Sequence, residues 1–149
     1  MTRTRPAGQQ DRGSVSLEVA IVAPALLLVI VIAVAAGRTT LAANTVADAA
    51  HDAARAASLA RTSAAARQAA ADIVAATLAN QGRSCVTVTA DTDISGFAQP
   101  VGQPAVVTVT VTCRVSYADI TALSGLPGSR TMTSTFVSPL DQYRGRGQP

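Results

Sequence analysis

Few side chains of this sequence could carry out chemistry, and none lies in a known catalytic pattern. The single histidine, His51, lies among Asp48, Asp52 and Arg55 on the predicted polar face of a helix, where a solvated role fits better than a ligand role. No serine has a G-x-S-x-G context, and the sequence contains no phosphate loop, dinucleotide fingerprint or metal-ligand cluster. The sequence therefore predicts a protein that is not an enzyme and that uses no metal and no cofactor.

The two cysteines, Cys85 and Cys113, both follow a long apolar run. They form no C-x-x-C motif, and two cysteines alone do not make a metal site. If the part of the chain after the apolar run is exported, an oxidising compartment favours a disulfide bond. We therefore predict that Cys85 and Cys113 form a disulfide.

One carboxylate stands directly before the apolar run. Glu18 is followed by VAIVAPALLLVIVIAVAAG, the 19 uncharged residues 19–37. A helix of this length spans about 28 Å, which is close to the hydrocarbon thickness of a bilayer. Pro24 lies inside the run and predicts a kink near the start of the helix. The sequence therefore predicts one transmembrane helix over residues 19–37.

The charges that flank this span predict its orientation. Residues 1–13 carry three arginines against Asp11 alone, so the positive-inside rule keeps the N-terminus in the cytoplasm. Residues 1–13 are then a basic cytoplasmic leader, and everything beyond Arg38 lies outside the cytoplasmic membrane. Five of the twelve basic residues lie at the two ends of the chain without interleaved aromatic residues, which argues against nucleic-acid binding.

The rest of the chain predicts an α+β fold. Residues 41–80 are about half alanine without glycine or proline, so the helix is expected to continue from the span, over residues 14–81 in all. After Gly82, valine and threonine alternate, which is typical of strands. We predict a small antiparallel sheet of about three strands, at 85–90, 105–117 and 130–137. These strands form a disulfide-linked β unit over residues 84–137, followed by a disordered tail over residues 138–149.

The alternation creates a conflict for the predicted disulfide. Cys113 shares a strand face with the valines, whereas Cys85 shares a face with Thr87 and Thr89. If the two strands bury their valine faces together, the cysteines point to opposite sides of the sheet. Either a β-bulge intervenes, or Cys85 lies just ahead of its strand. We favour the second explanation.

The start of the chain resembles a known processing site. A basic leader ends at Gly13, Ser14 follows, and Glu18 is the fifth residue after this junction. This arrangement resembles the prepilin-peptidase site of type IV pilins and pseudopilins, although classical pilins favour Phe where this chain has Ser14. The Arg-Gly pair at 12–13, Glu18, Pro24 and the stretch ADAAHDAARAA at 47–57 resemble the TadE-like family. The resemblance covers about residues 12–57.

The resemblance implies a pseudopilin or minor assembly protein of tight-adherence pili or of a related secretion system, in the bacterial cytoplasmic membrane. It implies processing between Gly13 and Ser14 by a prepilin peptidase, and an assembly role for Glu18 and Pro24. Its partners would be other pilin-like subunits and the pilus assembly platform. Alternatively, Glu18 only stabilises the first helical turn through the macrodipole. We also expect a small-residue face, at Ala50, Ala53 and Ala57, to let neighbouring helices approach closely.

A different class of protein also fits the N-terminus. Ala33-Val34-Ala35 offers an A-x-A cleavage site after the apolar run, as in a conventional signal peptide cleaved near Ala35. The product would be a secreted binding protein. Against this alternative, Glu18 abuts the apolar run, and the run is longer than the usual h-region of about 7–15 residues.

Overall fold

A computed structural model describes residues 11–82, 85–121 and 127–145. The chain divides into two compact units, Met1–Gly37 and Arg38–Pro149, and helix α1 (Asp11–Leu59) contributes to both. Most of the predicted leader lies outside the described residues. In the first unit, the large apolar side chains between residues 19 and 34 are 45–66% exposed. By length and composition, the helix from Glu18 to Leu59 is able to cross a membrane.

The second unit contains two long helices where the sequence predicted one. Helix α1 ends at Leu59, and helix α2 (Ser63–Asn80) begins after a three-residue break. Thr62 is the N-cap of α2, and its hydroxyl accepts a hydrogen bond from the backbone N–H of Ala65 at 3.2 Å. This cap satisfies one of the backbone donors that a new helix start leaves free. The predicted long N-terminal helix that continues into an alanine-rich helix is therefore confirmed, with a break at residues 60–62 that the sequence analysis did not place.

The described strands form one three-stranded antiparallel sheet in the order β1-β2-β3. Strand β1 is Cys85–Asp93, β2 is Ala105–Ser116 and β3 is Ser129–Leu140. A short 3₁₀ helix (Ser95–Ala98) follows β1, and a five-residue helix α3 (Tyr117–Thr121) follows β2. Two long helices followed by this sheet confirm the predicted α+β class.

The core lies between the helices and one face of the sheet. Alternate residues of β2 point into it and are at most 5% exposed: Val107, Val109, Val111, Cys113 and Val115. From the helices, Ala50, Ala53 and Ala57 are completely buried in the same core. Because these alanines already pack within the chain, the expectation that they form a contact face for neighbouring subunits is wrong. These alanines belong to the same core cluster as the buried valines of β2.

The end of the chain is more ordered than predicted. Strand β3 extends to Leu140, and Ser138 and Leu140 are both buried. Pro139 is tolerated because β3 is an edge strand, where a missing N–H need not break the ladder. Beyond the strand, a side-chain nitrogen of Arg144 donates to the carbonyl of Leu59 at 3.3 Å. The predicted disorder of residues 138–149 is therefore wrong for residues 138–145, and residues 146–149 lie outside the described residues.

The sheet resolves the conflict between the two cysteines. Cys85 is the first residue of β1 and pairs with Val115, and the register shifts between Cys85 and Thr87. This bulge inserts one extra residue and turns Cys85 to the face of Cys113. The two residues form a disulfide with a Cα–Cα distance of 5.5 Å. The predicted disulfide is present, but the bulge accounts for it, and the explanation that we favoured is wrong.

Candidate membrane-assembly site

The predicted processing and assembly residues lie on a single helix. Helix α1 begins at Asp11, so the backbone of Gly13 and Ser14 is already helical, and Pro24 lies inside the same helix. Glu18 follows Ser14 by four residues, a separation that places the two positions on one helix face about 6 Å apart along the axis. The structure thus brings the residue after the junction and the carboxylate together on one side of the helix.

Glu18 lies at the start of an apolar surface. Its side chain is exposed and borders an open groove of about 380 Å³, which is lined by Val19, Val22, Ala23 and Leu26. Among the residues from Glu18 onward whose side chains the structure describes, none forms a hydrogen bond or an ion pair with the carboxylate. Glu18 is also the only charged residue in the sequence between Gly13 and Arg38. A carboxylate in this position can pair with a headgroup or with a cation of another molecule.

His51 occupies the polar face of α1, as the sequence predicted. Its Nδ1 lies 3.2 Å from a carboxylate oxygen of Asp52, and both side chains are about half exposed. The imidazole also makes an edge-to-face contact with Phe136 of β3, with 4.4 Å between the ring centroids. Among the described residues, no group of three or more His, Cys, Asp or Glu side chains could hold a metal ion.

The sequence analysis missed Phe136 and Val137 as surface features. Phe136 is 38% exposed and Val137 is 50% exposed, although both lie in β3. The signal was present in the sequence, because these two adjacent apolar residues interrupt the alternation of RTMTSTFV. Adjacent strand residues point to opposite faces of a sheet, so a pair of this kind exposes apolar surface on both faces.

An exposed apolar helix that is long enough to cross a membrane is followed in sequence by a small α+β unit, an organisation that is consistent with membrane anchoring. Residues 13–55 match the model of a family described as TadE-like protein, which confirms the resemblance over these residues. The match begins at Gly13 and includes Glu18 and Pro24. No curated protein and no solved structure matches the chain significantly.

The match covers residues 13–55, which is most of α1, and leaves the rest of the chain outside it. The TadE-like region and the candidate membrane helix together support a membrane protein related to the tight-adherence pilus system. Residues 56–149, which contain α2 and the whole sheet, lie outside the matched region.

Proposed function

We propose that this chain is a TadE-like pseudopilin or minor pilus-assembly protein that acts in tight-adherence pilus biogenesis or a related secretion system. It is anchored in the bacterial cytoplasmic membrane by residues 19–37, with its N-terminus in the cytoplasm. The observation that carries the proposal is the TadE-like match, which begins at Gly13 and runs along the exposed apolar helix. The role is structural and not catalytic.

The first step of the proposed mechanism is removal of the leader. A prepilin peptidase cleaves the peptide bond between Gly13 and Ser14. The leader arginines hold the N-terminus at the cytoplasmic face until cleavage occurs. Afterwards the mature chain starts with the α-amino group of Ser14, one helical turn before Glu18.

The second step pairs Glu18 with a neighbouring subunit. Within one chain, the new amine and the Glu18 carboxylate lie about 6 Å apart along the helix. A neighbour displaced by about one turn brings its own amine level with this carboxylate. An unpaired carboxylate in an apolar assembly is costly, so this ion pair favours one register between subunits.

A topology experiment tests the membrane part of the proposal. Alkaline phosphatase fused after Tyr143 is expected to be active, because residues after the span are exported and the enzyme needs an oxidising compartment. The matched control is a fusion after Asp11, before the span, which should be inactive. Activity of the second fusion, or inactivity of a stable first fusion, would overturn the proposed orientation.

The second candidate function is a secreted binding protein with a conventional signal peptide. It is supported by the position of the apolar helix near the N-terminus, where a signal sequence has the same length and composition. In that case cleavage near Ala35 would remove Glu18 and the whole TadE-like start of the chain. The two candidates therefore differ in the mass of the mature protein.

A further inference from the structure

The bulge at the start of β1 leaves one apolar residue outside the pairing of the sheet. Cys85 lies opposite Val115 and Thr87 lies opposite Arg114, so the register gives Val86 no partner on β2. The side chain of Val86 is 62% exposed. Strand β1 therefore holds a valine in solvent while a cysteine occupies the position opposite a buried valine.

The residue pattern of β1 fits a register without this bulge. Val88 lies opposite Cys113, a buried residue of β2, and therefore on the helix-facing side of the sheet. If the same register continued to the start of the strand, Val86 would lie opposite Val115 on that side too. Cys85 would then turn to the open side. Because burial of apolar residues on one face sets the register of a strand, the pattern of β1 favours this regular register.

The disulfide is the contact that requires the bulge. Cys113 is 1% exposed and points into the core, so a bond to it needs Cys85 on the helix-facing side. Without an extra residue in β1, the two cysteines lie on opposite sides of the sheet. A bulge also disrupts the ladder locally and leaves the inserted residue unpaired. The bond and the regular register therefore exclude each other.

The connection between α2 and β1 is compatible with the regular register. Helix α2 ends at Asn80, and in the bulged register Cys85 is the residue that reaches the position opposite Val115. In the regular register Val86 reaches this position, so the connection contains one residue more. An additional residue in a connection costs little free energy. A return to the regular register therefore stretches no part of the chain.

We propose that the Cys85–Cys113 bond controls the register of β1, so that the dithiol and disulfide forms of the chain have different sheets. In the dithiol form the bulge is absent, Val86 packs opposite Val115 and the Cys85 thiol faces the open side. In the disulfide form the bulge is present and Val86 is exposed. This register change concerns the second unit alone and goes beyond the proposed function.

The conversion of the dithiol form to the disulfide form is a two-electron oxidation. The oxidant is a disulfide, either of an exported thiol oxidant or of glutathione. The thiolate of Cys85, which is accessible on the open side, attacks this disulfide and releases one oxidant thiol. After β1 changes its register, the thiolate of Cys113 attacks the Cys85 sulfur and releases the second oxidant thiol. The two protons and two electrons of the cysteines thus pass to the oxidant.

Nuclear magnetic resonance of the full-length chain in detergent micelles tests the register directly. Nuclear Overhauser contacts identify which backbone protons of β1 lie opposite Val115. In the oxidised chain these contacts are expected from Cys85, and after addition of reductant they are expected from Val86. A reduced chain that retains the contacts of Cys85, or that loses the sheet, would overturn the proposal.

A substitution of the exposed valine provides the second arm. Val86→Thr preserves the side-chain shape, and it should destabilise the dithiol form, in which residue 86 is packed, more than the disulfide form. The equilibrium with glutathione should therefore shift toward the disulfide by about fivefold. The matched control is Val88→Thr, because residue 88 lies opposite Cys113 in both registers, and its equilibrium should stay unchanged. An unchanged equilibrium in Val86→Thr, or an equal shift in both variants, would contradict the register change.

Discussion

Replacement of Glu18 by valine is expected to leave membrane insertion intact and to abolish recovery of the chain with its pilin-like partners. Insertion should not suffer, because a charge costs about 2.5–3.5 kcal/mol at the bilayer centre and less near its edge, and the variant removes that cost. Assembly should fail, because the neighbour's amine loses its ionic partner. The measurement compares the membrane fraction with the amount of chain that co-purifies with partner subunits.

Two controls separate assembly from processing. Gly13→Leu should block cleavage and keep the leader attached, so it reports the loss of assembly caused by failed processing alone. The N-terminus of the Glu18→Val variant is determined in parallel, because only a processed variant tests the ion pair. If processed Glu18→Val chain co-purifies normally with its partners, Glu18 acts only through the helix macrodipole and the assembly role is wrong.

Removal of the disulfide is expected to have the largest effect on the stability of the second unit. The bond closes a loop between residues separated by 28 positions. In the chain-entropy model such a loop contributes about 3–4 kcal/mol to the free energy of unfolding. A double Cys85→Ser, Cys113→Ser variant should therefore unfold at a much lower denaturant concentration than the native chain. The loss is large because a small α+β unit with an alanine-rich helix layer has a shallow core.

Alkylation provides the direct control for this prediction. Wild-type chain from the exported compartment, unfolded without reductant, should gain no alkyl group, and after reduction it should gain two. Unfolding is needed because Cys113 is only 1% exposed and would escape labelling in the folded state even as a free thiol. Labelling of the unreduced, unfolded chain would show that the bond is absent and that the bulge at Cys85 serves another purpose.

The strands were predictable because their pattern is local. Alternating valine and threonine in AVVTVTVTCRVSY gave β2 within one residue at its end, since one face of that strand is buried and the other is open. The break between α1 and α2 was not predictable in the same way. Residues 60–62 contain no glycine or proline, and the chain turns there so that both helices pack on one sheet. Thr62 was the one local sign of a new helix start.

The remaining errors have tertiary causes. A bulge changes which face a residue occupies, and the alternation of residue types does not show where an extra residue is inserted. The buried alanines resemble a subunit contact face until the sheet that covers them is known. Pro139 indicated a tail, because proline is excluded from central strands. The strand order places β3 at an edge, where a proline is tolerated.

The candidate site could also be predicted only in part from the sequence. Gly13, Ser14, Glu18 and Pro24 are recognisable from their spacing, because a leader, a junction and an apolar helix are arranged linearly along the chain. Their proposed roles remain predictions. The strand order could not be predicted in this way, because it depends on which strands pair across the sheet.

The mass of the mature chain tests the central claim most directly. Chain recovered from membranes should lack residues 1–13 and begin at Ser14, and the Gly13→Leu variant should retain residues 1–13. This result is expected because the TadE-like match begins at Gly13 and the apolar helix remains as the anchor. Loss of about 35 residues, with the product released from the membrane, would identify a secreted protein and contradict the account. A wild-type chain with an intact leader would contradict processing by a prepilin peptidase.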